Sequence, residues 1–314
     1  MSTEKRIPKQ KKLCKVLKFS LIGIGLLLCA ELSLRMLGFG QPLIYEANAN
    51  YEYRCVPNQS VRRLGNLNTT NNLGMRGENP SPKAIKVLKI GDSIIHGGSL
   101  TDDSELATTI LSKKLTDYLK KETQVLNISA GSWGPDNAYY FLKTYGTFGA
   151  EVMVIFFSSH DASDIMANSS PIGQSVDHPN AYYPFAFMEL YERYIIKRKI
   201  FNLQPSLAVH PTLKESYPNS GFNALIDLSN QGNMTVLAVL HPNSLELSIG
   251  TYNKNGKAII DLFHSKHIEV IKGVNFLEKD CYRDGIHLNK KGQKVYADQL
   301  YPHLCKLLEY SISN

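Results

Sequence analysis

From residue 84 onward, short apolar runs alternate with segments whose apolar residues recur at helical spacing, and this alternation restricts the fold more than any other feature. Residues 85–90 form a short run that stops at Gly91 and reads as a buried strand. Leu106, Ile110, Leu111, Leu115, Tyr118 and Leu119 then follow a helical period. Residues 125–128 predict a second strand, 136–148 a helix and 152–157 a third strand. Residues 235–240 and 268–271 supply the fourth and fifth. Residues 289–309 close the chain as a helix that Pro302 is expected to kink. Strands alternating with helices predict an α/β fold, a parallel sheet covered on both faces. Residues 84–314 are therefore read as one domain. Between the third and fourth strands, residues 162–222 break the rhythm. They are rich in Pro, Tyr and Phe, hold one helical stretch around 185–196, and read as an insertion that caps or borders a site. Residues 41–83, rich in Asn, Pro, Gly and Arg with no sustained period, are expected to be an irregular lead-in.

The N-terminus is of a different kind. The formal charge of +7 would point to nucleic acid if it were spread over the fold. Most of it sits in residues 1–18, where Lys5, Arg6, Lys9, Lys11, Lys12, Lys15 and Lys18 face only Glu4. The remaining chain is close to neutral, so a basic groove for phosphates is not indicated. The run 19–30 carries no charge and is mostly Leu, Ile and Gly. Counted with its flanks, from Val16 to Phe39, it spans 24 positions, enough for a bilayer that needs about 20. Lys18 and Arg35 are placed to snorkel to the two interfaces. The favoured reading is a basic cytoplasmic segment, 1–18, followed by a transmembrane signal anchor, 19–40. A cleaved signal peptide and a buried soluble helix are the alternatives. Bulky Leu28 argues against a lipoprotein site at Cys29. The positive flank places the N-terminus in the cytoplasm and the following domain outside, in the periplasm or at the cell surface. Cys55, Cys281 and Cys305 lie beyond the span, and Cys281 with Cys305 is the candidate disulfide. No Cys-x-x-Cys pair suggests a metal or redox site.

Chemistry-bearing residues cluster where open α/β sheets place their sites, at the carboxyl ends of strands. Gly91-Asp92-Ser93 follows the first strand directly. A serine on that turn presents its hydroxyl above the sheet, but it is a weak nucleophile without a base. Asp284-Gly285-Ile286-His287 precedes the final helix and supplies one. An Asp three residues before a His can fold under the ring and accept from Nδ1–H, leaving Nε2 free to take the serine proton.

These two blocks resemble those of the SGNH (GDSL-type) hydrolase family. Asn71-Asn72-Leu73-Gly74-Met75-Arg76-Gly77 also resembles an Asn-x-x-Gly-x-Arg-Gly stretch carried ahead of the first strand in that family's membrane-anchored branch. The resemblance covers roughly residues 70–161 and 234–308. It implies a flavodoxin-like three-layer α/β/α sandwich and a catalytic triad of Ser93, His287 and Asp284. It also implies an oxyanion hole made by Ser93, by a glycine after the second strand and by the third block. Gly131 and Gly134 both suit the glycine role, and Gly134 is favoured because Pro135-Asp136-Asn137 looks like a helix start. The third block, normally Gly-x-Asn-Asp, reads Ser158-Ser159-His160-Asp161, so His160 stands where an Asn is expected. An imidazole N–H can donate in its place, with Asp92 and Asp161 as supporting groups. The implied function is a serine esterase removing O-acyl (acetyl) groups from an extracytoplasmic polysaccharide. No metal or cofactor and no nucleic-acid partner is expected. Two alternatives stay open: an O-acyltransferase using a sugar hydroxyl in place of water, and a catalytically degenerate glycan-binding or assembly protein.

Other residues read as structural. His96 lies near the site without an evident role. His264 and His267 lack a third metal ligand and read as solvated. Trp133 suits either a sugar platform or the core. The aromatic residues of 181–201 are expected to pack the insertion. Lys197, Arg198 and Lys199 read as a solvated helix end.

Overall fold

The computed structural model describes residues 7–166, 171–196 and 217–313; the basic run at 197–199 lies outside them. A parallel five-stranded sheet is built from β5 (Ile85–Gly91), β6 (Thr123–Ser129), β7 (Val152–Ser158), β8 (Thr235–His241) and β9 (Val270–Lys272). Its spatial order is β6-β5-β7-β8-β9. The first strand thus sits inside the sheet and the chain reverses direction across it, the flavodoxin-like order with its crevice between β5 and β7. Every strand of this sheet lies within two residues of its predicted position.

Alternating side chains send two apolar layers outward. Leu88, Ile90, Met153, Ile155 and Phe157 meet α4 (Pro135–Tyr145), α6 (Gly221–Gln231) and α8 (Lys254–Ser265) through Phe141, Phe222 and Phe263. Val87, Val152, Val154 and Phe156 meet α3 (Ala107–Leu119) and α9 (Lys290–Ser313) through Leu111, Leu115, Tyr296 and Leu300. Each such side chain contributes roughly 1.5–3 kcal/mol by leaving water. The result is an α/β/α sandwich. Short helices α2 (Ser93–His96), α5 (Ala186–Tyr191) and α7 (Ser244–Ile249) complete the head.

Lys89 breaks the apolar pattern of β5. It is 2% exposed, with Nζ 4.6 Å from the centre of the Phe156 ring. Burial pulls its pKa down from 10.5 to about 7. Between those values the unfolded chain holds a proton that the folded chain has released, so stability rises with pH across that window. Lys89→Met is expected to remove this slope. It should stabilise the protein at pH 6.5 by on the order of 3–5 kcal/mol and by far less at pH 10. Thermal unfolding of both proteins at the two pH values measures the difference.

The lead-in is more regular than its composition predicts. β1 (Tyr45–Asn48) pairs with β2 (Glu52–Cys55), and β3 (Ser60–Arg63) with β4 (Asn66–Thr69), both antiparallel. Four-residue strands are too short for their alternation to stand out. Beyond them Arg76 pairs through its backbone with Asn127, while Ser81 donates to Gln124, so the lead-in covers the edge of β6. Cys55, Cys281 and Cys305 are buried free thiols, and the candidate Cys281–Cys305 disulfide does not form. Trp133 is in the core: it donates to the Tyr53 carbonyl at 2.9 Å and packs on Tyr51 and Phe141.

At the N-terminal end, α1 (Ile7–Met36) contains the stretch Leu13–Met36, long and apolar enough to cross a membrane. Arg35 does not simply reach for solvent. It pairs with Glu31 at 2.7 Å and donates to the Pro184 carbonyl at 2.7 Å.

Candidate active site

The loops that follow the strands converge at one edge of the sheet. Register pairs Gly91 with Ser129, so the turn at 92–93 and the loop at 130–134 emerge side by side. Gly91 must be glycine here, since a Cβ would run into the Phe156 carbonyl. Asp92 caps α2 by accepting from Ile94 N at 2.8 Å. That cap turns the chain so that Ser93 opens the helix, partly exposed.

Ser93 and His287, 194 residues apart, meet with Oγ 3.0 Å from Nε2. His287 Nδ1 lies 2.8 Å from Asp284 Oδ2. Burial raises the Asp284 pKa, but the amides of His287 and Ile286 and the imidazole more than offset it, and the carboxyl stays below its ordinary value. An ionised carboxylate only accepts, so Nδ1 carries the proton and Nε2 offers its lone pair to the Ser93 hydroxyl.

The loop carrying Asp284 and His287 is tied down on several sides by residues that local patterning did not reveal. Arg283 donates to the Gly97 carbonyl at 2.9 Å, joining this loop to the one that leaves α2. His241, at the end of β8, lies 2.8 Å from the Ile286 carbonyl and 2.9 Å from the Tyr296 hydroxyl. Burial lowers its pKa to about 3, so the ring is neutral and donates from Nε2 while accepting at Nδ1. Ser244 N donates to the Gly285 carbonyl at 2.8 Å.

The oxyanion-hole expectations fare differently. The Gly134 N–H donates to Asn137 Oδ1 at 2.9 Å as α4 begins, so it is occupied. The reason is local: Gly134-Pro135-Asp136-Asn137 is a helix start, and such a start uses its first amides for capping. The amides of Ser93, Gly131 and Ser132 make no hydrogen bond among the described residues. Ser132 holds a left-handed φ of 59°, uncommon for a non-glycine residue.

His160 is brought to this edge by the turn that follows β7. Its Nδ1 lies 2.6 Å from Ser158 Oγ, and its Nε2 lies 3.6 Å from both Asp92 Oδ2 and Asp161 Oδ1. At that distance neither carboxylate is hydrogen-bonded to the ring. Asp92 and Asp161 are buried, each leaving that same oxygen unpaired. Burial raises both pKa values, and for Asp161 the neighbouring Asp92 adds to the rise. For Asp92 the nearby His160 works against that rise without cancelling it. These three are also the group among the described residues whose ligand atoms, within 4.8 Å of one another, could hold a cation. His264 and His267 belong to no such group among the described residues.

His96 is buried beside Cys55 Sγ, 3.5 Å from Nε2, and burial lowers its pKa to about 3. It is a neutral packing residue. A groove of about 950 Å³ runs between the lead-in and α3 and contains none of Ser93, Asp284 or His287. A smaller one of about 270 Å³ borders Asp284 beside Ser244 and Tyr282.

No protein-family model matches the chain, and no curated protein matches it. Several solved structures do. The acetyl xylan esterase AlAXEase is 16% identical, with 70% of this chain and 99% of that one covered and a TM-score of 0.43. A lipase/acylhydrolase from Enterococcus faecalis is 13% identical over 70% of this chain and 96% of its own, at a TM-score of 0.41. A carbohydrate acetylesterase family member from Sinorhizobium meliloti is 15% identical over 72% and 99%, at 0.38. At such identities and scores, no activity and no residue role passes from them to this chain.

Proposed function

We propose that the chain is a serine hydrolase of esters, of the SGNH kind its sequence blocks resemble, held at a membrane by α1 with its head outside the cytoplasm. The observation that carries the reading is the hydrogen-bonded series Ser93–His287–Asp284 at the carboxyl edge of the sheet. In this mechanism Ser93 Oγ attacks the acyl carbonyl while its proton passes to His287 Nε2. Asp284 holds the imidazole in place and stabilises its charged form. The amides of Ser93, Gly131 and Ser132 offer donors for the oxyanion, and His160, carried on the turn after β7, is a further one. His287 then returns the proton to the leaving alcohol, and a water activated by the same ring releases the acid. The proposed substrate is an O-acetylated carbohydrate, the class implied by the resemblance of the sequence blocks.

The test is acetate release from acetylated xylan or mannan by the full chain in detergent, beside p-nitrophenyl acetate as a small ester. Turnover of both supports the reading; turnover of the small ester alone removes the polysaccharide, and turnover of neither removes the esterase. His160→Ala is expected to lower kcat by roughly 10²–10³-fold with little change in KM, whereas His160→Asn keeps most of the rate. Equal rates in all three proteins would remove His160 from the oxyanion site.

A further inference from the structure

Helix α5 has its polarity inside out. Ala186 and Glu189 face inward and are fully buried. Glu189 accepts from Gly40 N at 2.7 Å and pairs with Arg63 at 2.9 Å, so the inner face is held by charge. The outer face of α5 and of the wider turn that extends it, Glu192–Ile196, exposes Phe185, Phe187, Met188, Tyr191, Tyr194 and Ile195. Phe185 and Phe187 are each 51% exposed and stack on one another, centroids 5.3 Å apart. A helix that buries its carboxylate and shows its aromatic residues is poorly suited to water.

The position of this face says what covers it. Glu31 of α1 accepts from the amides of Ala186 and Phe187, at 2.8 and 3.2 Å, and Arg35 donates to the Pro184 carbonyl. Glu31 lies inside the apolar stretch that ends at Met36, about 7 Å from that end along the helix axis. The start of α5 is therefore level with the last turns of the span and not above them. The junction is fixed from the other side as well: Leu64 N donates to the Leu37 carbonyl, and Arg63 covers the Phe39 ring at 3.8 Å. Aromatic side chains favour the headgroup level of a bilayer, and apolar faces lying flat there sink by about 5–10 Å.

We propose that the outer face of α5 and its following turn is a membrane-interface element, seated in the headgroup region of the bilayer that α1 enters. The inference rests on the reading of α1 as an anchor and is independent of the esterase chemistry. By clamping the end of the span, the element sets the orientation of the head relative to the membrane surface.

The experiment uses the full chain reconstituted in phosphatidylcholine vesicles with acyl chains brominated near the headgroup. Phe187→Trp and, separately, Tyr191→Trp serve as reporters, with Tyr118→Trp, exposed on α3, as the control and native Trp133 as background. Flotation first establishes that each protein is held by the vesicles. Bromolipid is expected to quench the added fluorescence of both reporters by at least about half and to leave the control near its value in unbrominated lipid. Unquenched reporters in protein that floats would overturn this proposal alone. Protein that fails to float would overturn the anchor reading and this proposal together, with the esterase reading untouched. Reporters shielded in proportion to protein density, and not by bromine, would show a second copy on this face and would also overturn it.

Discussion

Ser93→Ala is expected to lower ester hydrolysis by roughly 10⁴-fold or more, with KM close to that of the unaltered protein. The hydroxyl is the group that forms the bond to the acyl carbon, and among the described residues no second hydroxyl is hydrogen-bonded to His287 Nε2. His287→Ala should cost about as much, because an unactivated serine at neutral pH is a poor nucleophile. The two changes together should cost little more than either alone, since they disable one unit. Steady-state rates with p-nitrophenyl acetate measure all three variants. Multiplied losses would mean that the two residues act separately and would break the mechanism proposed here.

Arg76→Met is expected to cause the largest loss of stability, about 3–5 kcal/mol, which is roughly 8–15 °C in Tm for a domain of this size. The Arg76 guanidinium is buried, meets Asp103 at 2.6 Å, and donates to the carbonyls of His96, Gly98 and Thr101 at 3.0, 3.0 and 3.1 Å. Its loss leaves an uncompensated carboxylate and three carbonyls short of a donor. Those carbonyls lie on the loop that leaves α2, the same loop that Arg283 grips from the side of the His287 segment. Activity should therefore fall along with stability. Arg76→Lys should recover little, because one ammonium cannot serve four acceptors spread around a planar fork. Thermal melts followed by circular dichroism supply the measurement, and a loss under about 1 kcal/mol would show that the clamp is not what holds this loop.

These residues also mark the limit of what the sequence reveals. The sheet was legible because its strands are short apolar runs ended by turn residues, and that signal is local. Ser93, Asp284 and His287 were legible because each lies in a compact block beside a strand end or a helix start. Asn71-x-x-Gly74-x-Arg76 was visible as a pattern, but its role is not local. Asn71 folds the turn by accepting from Leu73 and Met75, which sends Arg76 into a set of carbonyls some twenty residues on. Arg283 and His241 gave no signal at all, since their partners lie on segments distant in sequence. Gly134 was expected to offer its amide to the oxyanion; Pro135-Asp136-Asn137 after it starts a helix, and in the structure that amide donates to Asn137 Oδ1. For α5, periodicity grouped the aromatic residues without telling which side faces the protein. They were expected to pack inward, and the buried Glu189 with Arg63 reverses that.

The most direct test of the central claim is the site of reaction with a fluorophosphonate, read by mass spectrometry of the digested protein. One phosphonyl adduct is expected, on the peptide carrying Ser93, retained in His160→Asn and lost in His287→Ala. An adduct on a different residue, or one on Ser93 that forms equally fast without His287, would contradict it.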